Sequence, residues 1–289
     1  MGKKYSEEKW NDKFGKNFTE NDGMYKQAMM QKNMETDGSY QASVSGMYGE
    51  FTIASIFKAL PEEYIVMNDI LLQMGIQYRR YGIKEFNRYG VTPWELAYKE
   101  GKVYKRINKT QALAMMRQNN KLVFYEVVKK STQLDHVIVS PYGIFVIETK
   151  NHKGYVFGDV NGRVWTQVLN NGRSHYTFYN PVHQNIGHMD ELSKQLKMPV
   201  KYMVGMVVFT NPEAYLGNVN CNCCYTVDML FRAILNYNMQ LWDMKKVDKI
   251  VKAIESIDDS SYSNSKEHEL YVKDIKYRQD VNKRLKRGT

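Results

Sequence analysis

The stretch Leu134-Asp135-His136-Val137-Ile138-Val139-Ser140-Pro141-Tyr142-Gly143-Ile144-Phe145-Val146-Ile147-Glu148-Thr149-Lys150 decides how the chain is read. Val137 to Val139 is β-branched, Ile144 to Ile147 is β-branched and aromatic, and Pro141-Tyr142-Gly143 separates them. Short apolar runs bounded by turn residues mark strands, so the stretch predicts a β-hairpin in a buried sheet. It also carries three charges. Glu148 and Lys150 are two apart and share a strand face. Asp135 opens the partner strand, close to where Glu148 ends the second. The hairpin therefore gathers two carboxylates and one ammonium at one end of the sheet. Burying them is costly unless they pair or bind a cation. One reading is a buried Asp–Lys or Glu–Lys ion pair. The other is a metal site, and all-oxygen ligands favour Mg²⁺ or Mn²⁺. Such a metal activates water and stabilises a phosphodiester transition state, with Lys150 orienting the water or neutralising an oxyanion.

Working outward, residues 45–60 predict a helix, with Ser45 as N-cap, an apolar face from Phe51 to Leu60, and Pro61 as the stop. Gly46 and Gly49 let this helix pack closely on the sheet. Glu50, read alone, is a surface residue favourable to the helix dipole. Tyr64 to Leu72 reads as the first strand. After Lys150, Gly154–Phe157 and Arg163–Val168 make a second hairpin with Asn161-Gly162 at its tip. Pro181 opens a helix to about 197 that puts Gln184, His188 and Glu191 on one face. Tyr202 to Phe209 is continuous enough for a central strand. Asn220 to Val227 is a further strand, and Met229–Tyr237, capped by Asp228, and Asp243–Ile257 are helices.

Asp135…Glu148-Thr149-Lys150 resembles the D…(D/E)xK signature of the PD-(D/E)xK nuclease superfamily, and the string from Leu134 to Gly158 resembles the NERD (nuclease-related) domain. Gly46-Met47-Tyr48-Gly49-Glu50, Trp165 and Asn180-Pro181-Val182-His183-Gln184-Asn185-Ile186-Gly187-His188 continue the likeness in the same order. It covers roughly residues 45–72 and 132–235. The resemblance implies an α/β fold with a restriction-endonuclease-like αβββαβ core, a mixed central sheet flanked by helices, and metal-dependent cleavage of DNA. It also implies that Glu50 joins Asp135 and Glu148 on Mg²⁺ (or Mn²⁺), with Lys150 and Gln184 completing the catalytic set. Gln184 would hold a phosphate or the attacking water, and His188 is its companion.

In the family pattern the Asp hairpin follows soon after the first strand. Here about 55 residues, 76–130, intervene. Residues 76–110 hold nine Lys or Arg against three acids, more than half of the whole chain's net charge of +10, interleaved with aromatics. Ile83 to Tyr89 reads as helix, Gly90-Val91 as a turn, and Thr92-Pro93-Trp94-Glu95 as a capping box opening a second helix. The string from Asn87 to Ile107 resembles small helix-turn-helix modules. On that reading Arg88, Lys99, Lys102, Lys105 and Arg106 would touch phosphates or base edges, Lys102 to Asn108 being the reading element. The plainer reading is a helical decoration with a solvated basic face. Thr110 to Gln118 continues as helix, and Leu122 to Val128 is a strand leading into the hairpin.

The remainder sets bounds. The organisation expected is a polar arm over 1–40, a nuclease-like domain over 41–258 interrupted by the basic helical insertion at 76–130, and a charged tail over 259–289. At 289 residues the chain can bury one sizeable core. No apolar run approaches a membrane span and no signal peptide opens the chain, so a cytoplasmic protein away from membranes is expected. A pI near 9.2 suits a polyanionic partner. DNA is the partner expected, with a homodimer as the candidate assembly. Cys221, Cys223 and Cys224 could hold a soft metal but lack a second ligand pair. Three strand thiols are the preferred reading, Cys221 and Cys223 on one face and Cys224 on the other. Three functions follow: a metal-dependent DNA endonuclease, a non-catalytic DNA-binding module on a degenerate nuclease fold, or a metal-dependent hydrolase of RNA or a small phosphoester that shares the site.

Overall fold

The computed structural model describes residues 49–287 apart from 51, 90–95 and 119–122. The elements run α1 (residues 49–57, residue 51 aside), β1 (Ile65–Tyr81), α2 (Ile83–Tyr89), β2 (Leu96–Glu100), β3 (Val103–Ile107), α3 (Lys109–Gln118), β4 (Phe124–Ser140), β5 (Gly143–Lys150), β6 (Gly154–Asp159), β7 (Val164–Leu169), β8 (Ser174–Tyr179), α4 (Pro181–Leu196), β9 (Met203–Phe209), β10 (Ala214–Asn220), β11 (Cys224–Thr226), α5 (Val227–Leu235), α6 (Met244–Ile257) and α7 (Tyr262–Arg287). This is a mixed α/β protein. One sheet has the order β11-β9-β5-β4-β2-β3 with β1 also paired to β4, and a second has the order β10-β6-β7-β8. The polar arm, the Ser45 cap, Gly46, Phe51 and the Thr92–Glu95 capping box lie outside the described residues.

The chain divides into two compact units, one of residues 1–70 and 133–258, the other of residues 71–132 and 259–289. The first unit is built on the quoted hairpin. β4 and β5 pair antiparallel from Ser140↔Gly143 to His136↔Ile147, and Gly143 takes the positive φ that the tight turn needs. β5 pairs parallel with β9, and β9 parallel with β11. Phe145 and Ile147 pack with Ile53 and Phe57 of α1 and with Leu230 and Ile234 of α5. Asn180 caps α4 by accepting from the N–H groups of Val182 and His183, and Pro181 follows at the first helical position. The Asn180 amide donates to the carbonyls of Asp159, Val160 and Gly162, which ties the helix start to the Asn161-Gly162 turn. Trp165 is fully buried, stacks parallel to Phe209 and donates to the Asp159 carbonyl, as a core tryptophan should.

Several expectations are corrected. β1 runs nine residues beyond Leu72, and Asp135 sits well inside a 17-residue β4 rather than at its start. Residues 174–179 and 214–220 are strands as well, β8 and β10. Thr226, not Asp228, occupies the N-cap of α5. Cys221 and Cys223 precede β11 instead of lying on a strand, and their sulfurs are joined.

The second unit corrects the helix-turn-helix expectation. α2 and α3 are present, but residues 96–107 form an antiparallel hairpin, Leu96↔Ile107 through Glu100↔Val103, not a helix and a reading element. Gly101 at φ 60° sits in the two-residue turn with Lys102, a left-handed position that favours glycine and that tight hairpins require. Val103, Tyr104 and Tyr98 suit a pleated surface. Leu96 packs into a cluster with Tyr81, Ala112 and Phe124, and Tyr104 stacks on Tyr78 and meets Tyr125 edge-on. The charged tail is also structured: α7 spans 26 residues. Arg278 is 8 % exposed and donates to Glu126 and to Asp274, each at 2.7 Å, while Arg79 lies 3.5 Å from Glu126.

Candidate active site

The end of β5 carries the charged residues because the strand's apolar run finishes there. Phe145, Ile147 and Thr149 point to one face, and Val146, Glu148 and Lys150 to the other. α4 lies against β5 and β9, and a single buried side chain fixes its height. Asn185 donates from its amide to the Val146 and Met206 carbonyls, both at 2.9 Å, so it spans the two strands. With Asn185 anchored, Gln184 and His188 are brought over the strand end.

Lys150 Nζ donates to Glu148 Oε1 and, at 3.1 Å, to Gln184 Oε1. His188 Nε2 lies 3.1 Å from Glu148 Oε2, so both oxygens of Glu148 have partners. Glu148 is 2 % exposed. Asp135 stands one residue beyond the His136–Ile147 pair, and its carboxylate accepts from the Thr149 N–H at 2.8 Å. Glu50 enters from α1. A Cβ on the preceding Gly49 would come within 2.6 Å of Thr210 Oγ1, so glycine lets the helix start approach the strand ends. Thr210 in turn donates its backbone N–H to the Lys150 carbonyl at 2.9 Å.

The electrostatics are uneven. Burial, reinforced by the charges of Glu148 and Glu50, pushes the Asp135 carboxyl well above the usual range, against the pull of Lys150. Burial would also raise Glu148, but the Lys150 ammonium and the His188 hydrogen bond override it and hold that carboxyl at about 2. Burial would lower Lys150, yet the carboxylates of Glu148 and Asp135 raise it. Three carboxylates thus share one ammonium. Beside them, burial and the Lys150 charge lower the His152 imidazole to about 4. The ring packs against Phe178 with centroids 4.2 Å apart.

The structure therefore brings Asp135, Glu148, Lys150 and Gln184 together and places Glu50 within reach of their charges. His188 joins them directly. Asn185, Thr210 and His152 were missed as functional candidates. Asn185 stood in the quoted Asn180–His188 string, but nothing in sequence says that its amide bridges two strands. Among the described residues, the one set of three Cys, His, Asp or Glu ligand atoms within 4.8 Å of one another is Cys221, Cys223 and Cys224. The carboxylates of Glu50, Asp135 and Glu148 act on one another's charge without meeting that spacing.

The basic residues proposed for DNA belong to the other unit. Arg88 lies on α2 over the Tyr89 ring, Lys99 on β2 over Tyr104, Lys102 in the hairpin turn, and Lys105 and Arg106 on β3. All five are exposed, and Lys105 pairs with Glu100. No helix among the described residues is long and apolar enough to cross a membrane.

An uncharacterized protein of Bacillus anthracis is 27% identical over 181 residues, 63% of this chain and 76% of that relative. No solved structure matches the chain. Residues 97–210 match the family model of the nuclease-related domain, a span that includes Asp135, Glu148, Lys150, Gln184 and His188. Over those residues the chain is similar to the nuclease-related domain.

Proposed function

We propose that the chain is a divalent-metal-dependent nuclease that hydrolyses DNA phosphodiester bonds, acting as an endonuclease. The observation that carries this reading is the Lys150 ammonium held between Glu148 and Gln184 and flanked by Asp135, inside the nuclease-related match. The order α1, β1, β4, β5, α4, β9 supports a restriction-endonuclease-like αβββαβ core, with β6 to β8 and the second unit as additions. A group with three carboxylates to one ammonium is short of positive charge, and the charges of Glu148 and Glu50 add to the burial that raises the Asp135 carboxyl. Hard oxygen donors suit Mg²⁺ or Mn²⁺, and Asp135 and Glu148, with Glu50, would hold the ion.

When bound, the metal would lower the pKa of an attacking water and offset the charge of the transferring phosphate. Lys150 stabilises negative charge on the phosphoryl oxygens, and Glu148 keeps that ammonium protonated. Gln184 aims Lys150 and offers its amide N–H to a phosphate. His188 holds Glu148 in place. The basic hairpin β2–β3 contributes affinity through Lys99, Lys102, Lys105 and Arg106, with Arg88 on α2, by displacing counterions from DNA.

The second reading, a DNA-binding module without catalysis, is favoured by one observation: both oxygens of Glu148 are already hydrogen-bonded within the protein. Plasmid and linear DNA incubated with Mg²⁺ or Mn²⁺ separate the two. Wild type is expected to nick and linearise circular DNA. Lys150→Ala and Asp135→Ala should each lose at least about a hundredfold in rate while still binding DNA. Binding without cutting by wild type on every substrate would favour the module.

A further inference from the structure

Cys221 and Cys223 lie between β10 and β11, Cys224 opens β11, and the three sulfur atoms all lie within 4.8 Å of one another. Cys221 and Cys223 are bridged and the Cys224 thiol is free. A bridge between residues two apart closes so short a loop that its entropic effect is roughly 1.5 kcal/mol, against about 3 for a 15-residue loop. As a staple it contributes little. The backbone of Cys223 and Cys224 is held against β9. The Val207 N–H donates to the Cys223 carbonyl at 2.9 Å, and Cys224 pairs in register with Val207 on β9. The three side chains pack partly buried against the cluster that contains Trp165, Val207 and Phe209.

Two features turn this arrangement from packing into a ligand set. The Cys223 N–H donates to Cys221 Sγ at 3.2 Å, an outer hydrogen bond of the kind that stabilises thiolate ligands. Among the described residues no carboxylate or imidazole joins the group, so its donors are all sulfur, which selects soft cations over Mg²⁺. It is also separate from the carboxylate cluster. Glu148 and Cys224 are both in register with Val207, on opposite sides of β9, two strand spacings or roughly 10 Å apart at the backbone.

We propose that Cys221, Cys223 and Cys224 form a three-thiolate site for a soft divalent cation such as Zn²⁺ or Cd²⁺, opened when a dithiol reduces the Cys221–Cys223 bridge. In the reduction the dithiol gives up two electrons and two protons and becomes a disulfide, and the protein gains two thiols. The cation then forms three metal–sulfur bonds and displaces three protons, leaving a fourth position for water on Zn²⁺. The cation must compete with protons for the three sulfurs, so binding strengthens as pH rises.

The test is a Cd²⁺ titration of the full chain, first as the disulfide and then after reduction by a dithiol and its removal, read by the thiolate-to-cadmium absorption in the ultraviolet. The reduced protein should bind one Cd²⁺ per chain, and bound Cd²⁺ or Zn²⁺ should protect three thiols from alkylation. The disulfide form should show no such band, and Cys224→Ser should weaken binding at least tenfold. The oxidised and reduced forms of the wild type carry the result if the variant does not fold. Absence of the band in the reduced wild type, or its full retention in Cys224→Ser, would overturn the proposal. No nucleic acid enters the experiment, so the nuclease reading stands or falls separately.

Discussion

The two units each bury a cluster of charges, and the clusters differ in kind. In the unit of residues 71–132 and 259–289, Glu126 and Asp274 meet Arg278 and Arg79, two acids against two guanidiniums. Arg278 also lies over the rings of Tyr81 and Tyr89. Burial still pushes Glu126 up despite its arginines, so the pairing offsets the cost of burial rather than exceeding it. In the other unit, Asp135, Glu148 and Glu50 share one ammonium, from Lys150. The first cluster is closed by rigid, always charged partners. The second sets three carboxylates against one flexible lysine and the His188 imidazole. A balanced network needs nothing more. An unbalanced one makes sense where a further cation completes it, and surplus charge retained at a cost in stability is a mark of function.

The balanced cluster should break hardest. Arg278→Ala leaves Glu126 buried with only the more distant Arg79, and is expected to cost about 3–5 kcal/mol in denaturant unfolding. Cutting by the fraction still folded should be little changed. The unbalanced cluster depends instead on the scaffold beneath it. Asn185→Ala removes two buried hydrogen bonds and should cost about 2 kcal/mol. Because α4 carries Gln184 and His188, its cleavage rate should also fall in protein that remains folded, which separates it from the arginine variant.

A smaller effect sharpens the contrast through pH. His152 is held at about 4, while an unfolded histidine titrates near about 6.5. The unfolded chain therefore binds the extra proton between those values. This contribution to stability is present above about pH 6.5 and is lost as pH falls towards 4. Replacing His152 by Gln should flatten the melting profile in that window. The Glu148 contribution is intact above an unfolded value of about 4.3 and fades only as pH falls from there to about 2, so the two are separable.

The same contrast explains what was legible in the sequence. The acid-rich site sits on elements with strong local signals: the apolar runs around Pro141-Tyr142-Gly143, the Asn161-Gly162 turn, and Pro181 opening a helix. Its charged residues stood out because they interrupt apolar strands. The second unit is held by partners far apart in the chain, such as Glu126 with Arg278, Lys129 with Glu267, and Ser131 with His268. No local pattern in 262–287 announces them, so a polar segment read as a charged tail is a 26-residue helix. The hairpin at 96–107 is ambiguous in sequence for a related reason. Its lysines and tyrosines fit either a basic helix or an alternating strand, and the decision came from burying Leu96 beside Phe124 and stacking Tyr104 on Tyr78. His188 and Asn185 lay within a recognised string, but their partners on β5 and β9 are set by tertiary packing.

The most direct test of the central claim is to titrate Mn²⁺ into wild type and Asp135→Asn and follow the thermal midpoint. Asparagine can still accept from the Thr149 N–H while removing one of three crowded carboxylates, so the metal-free variant should be more stable than wild type by on the order of 1 kcal/mol. Wild type should rise with Mn²⁺, because a ligand bound only by the folded state stabilises it, and the variant should respond little. A wild-type midpoint indifferent to Mn²⁺, or an equal rise in both proteins, would contradict the claim that Asp135 and Glu148 await a cation.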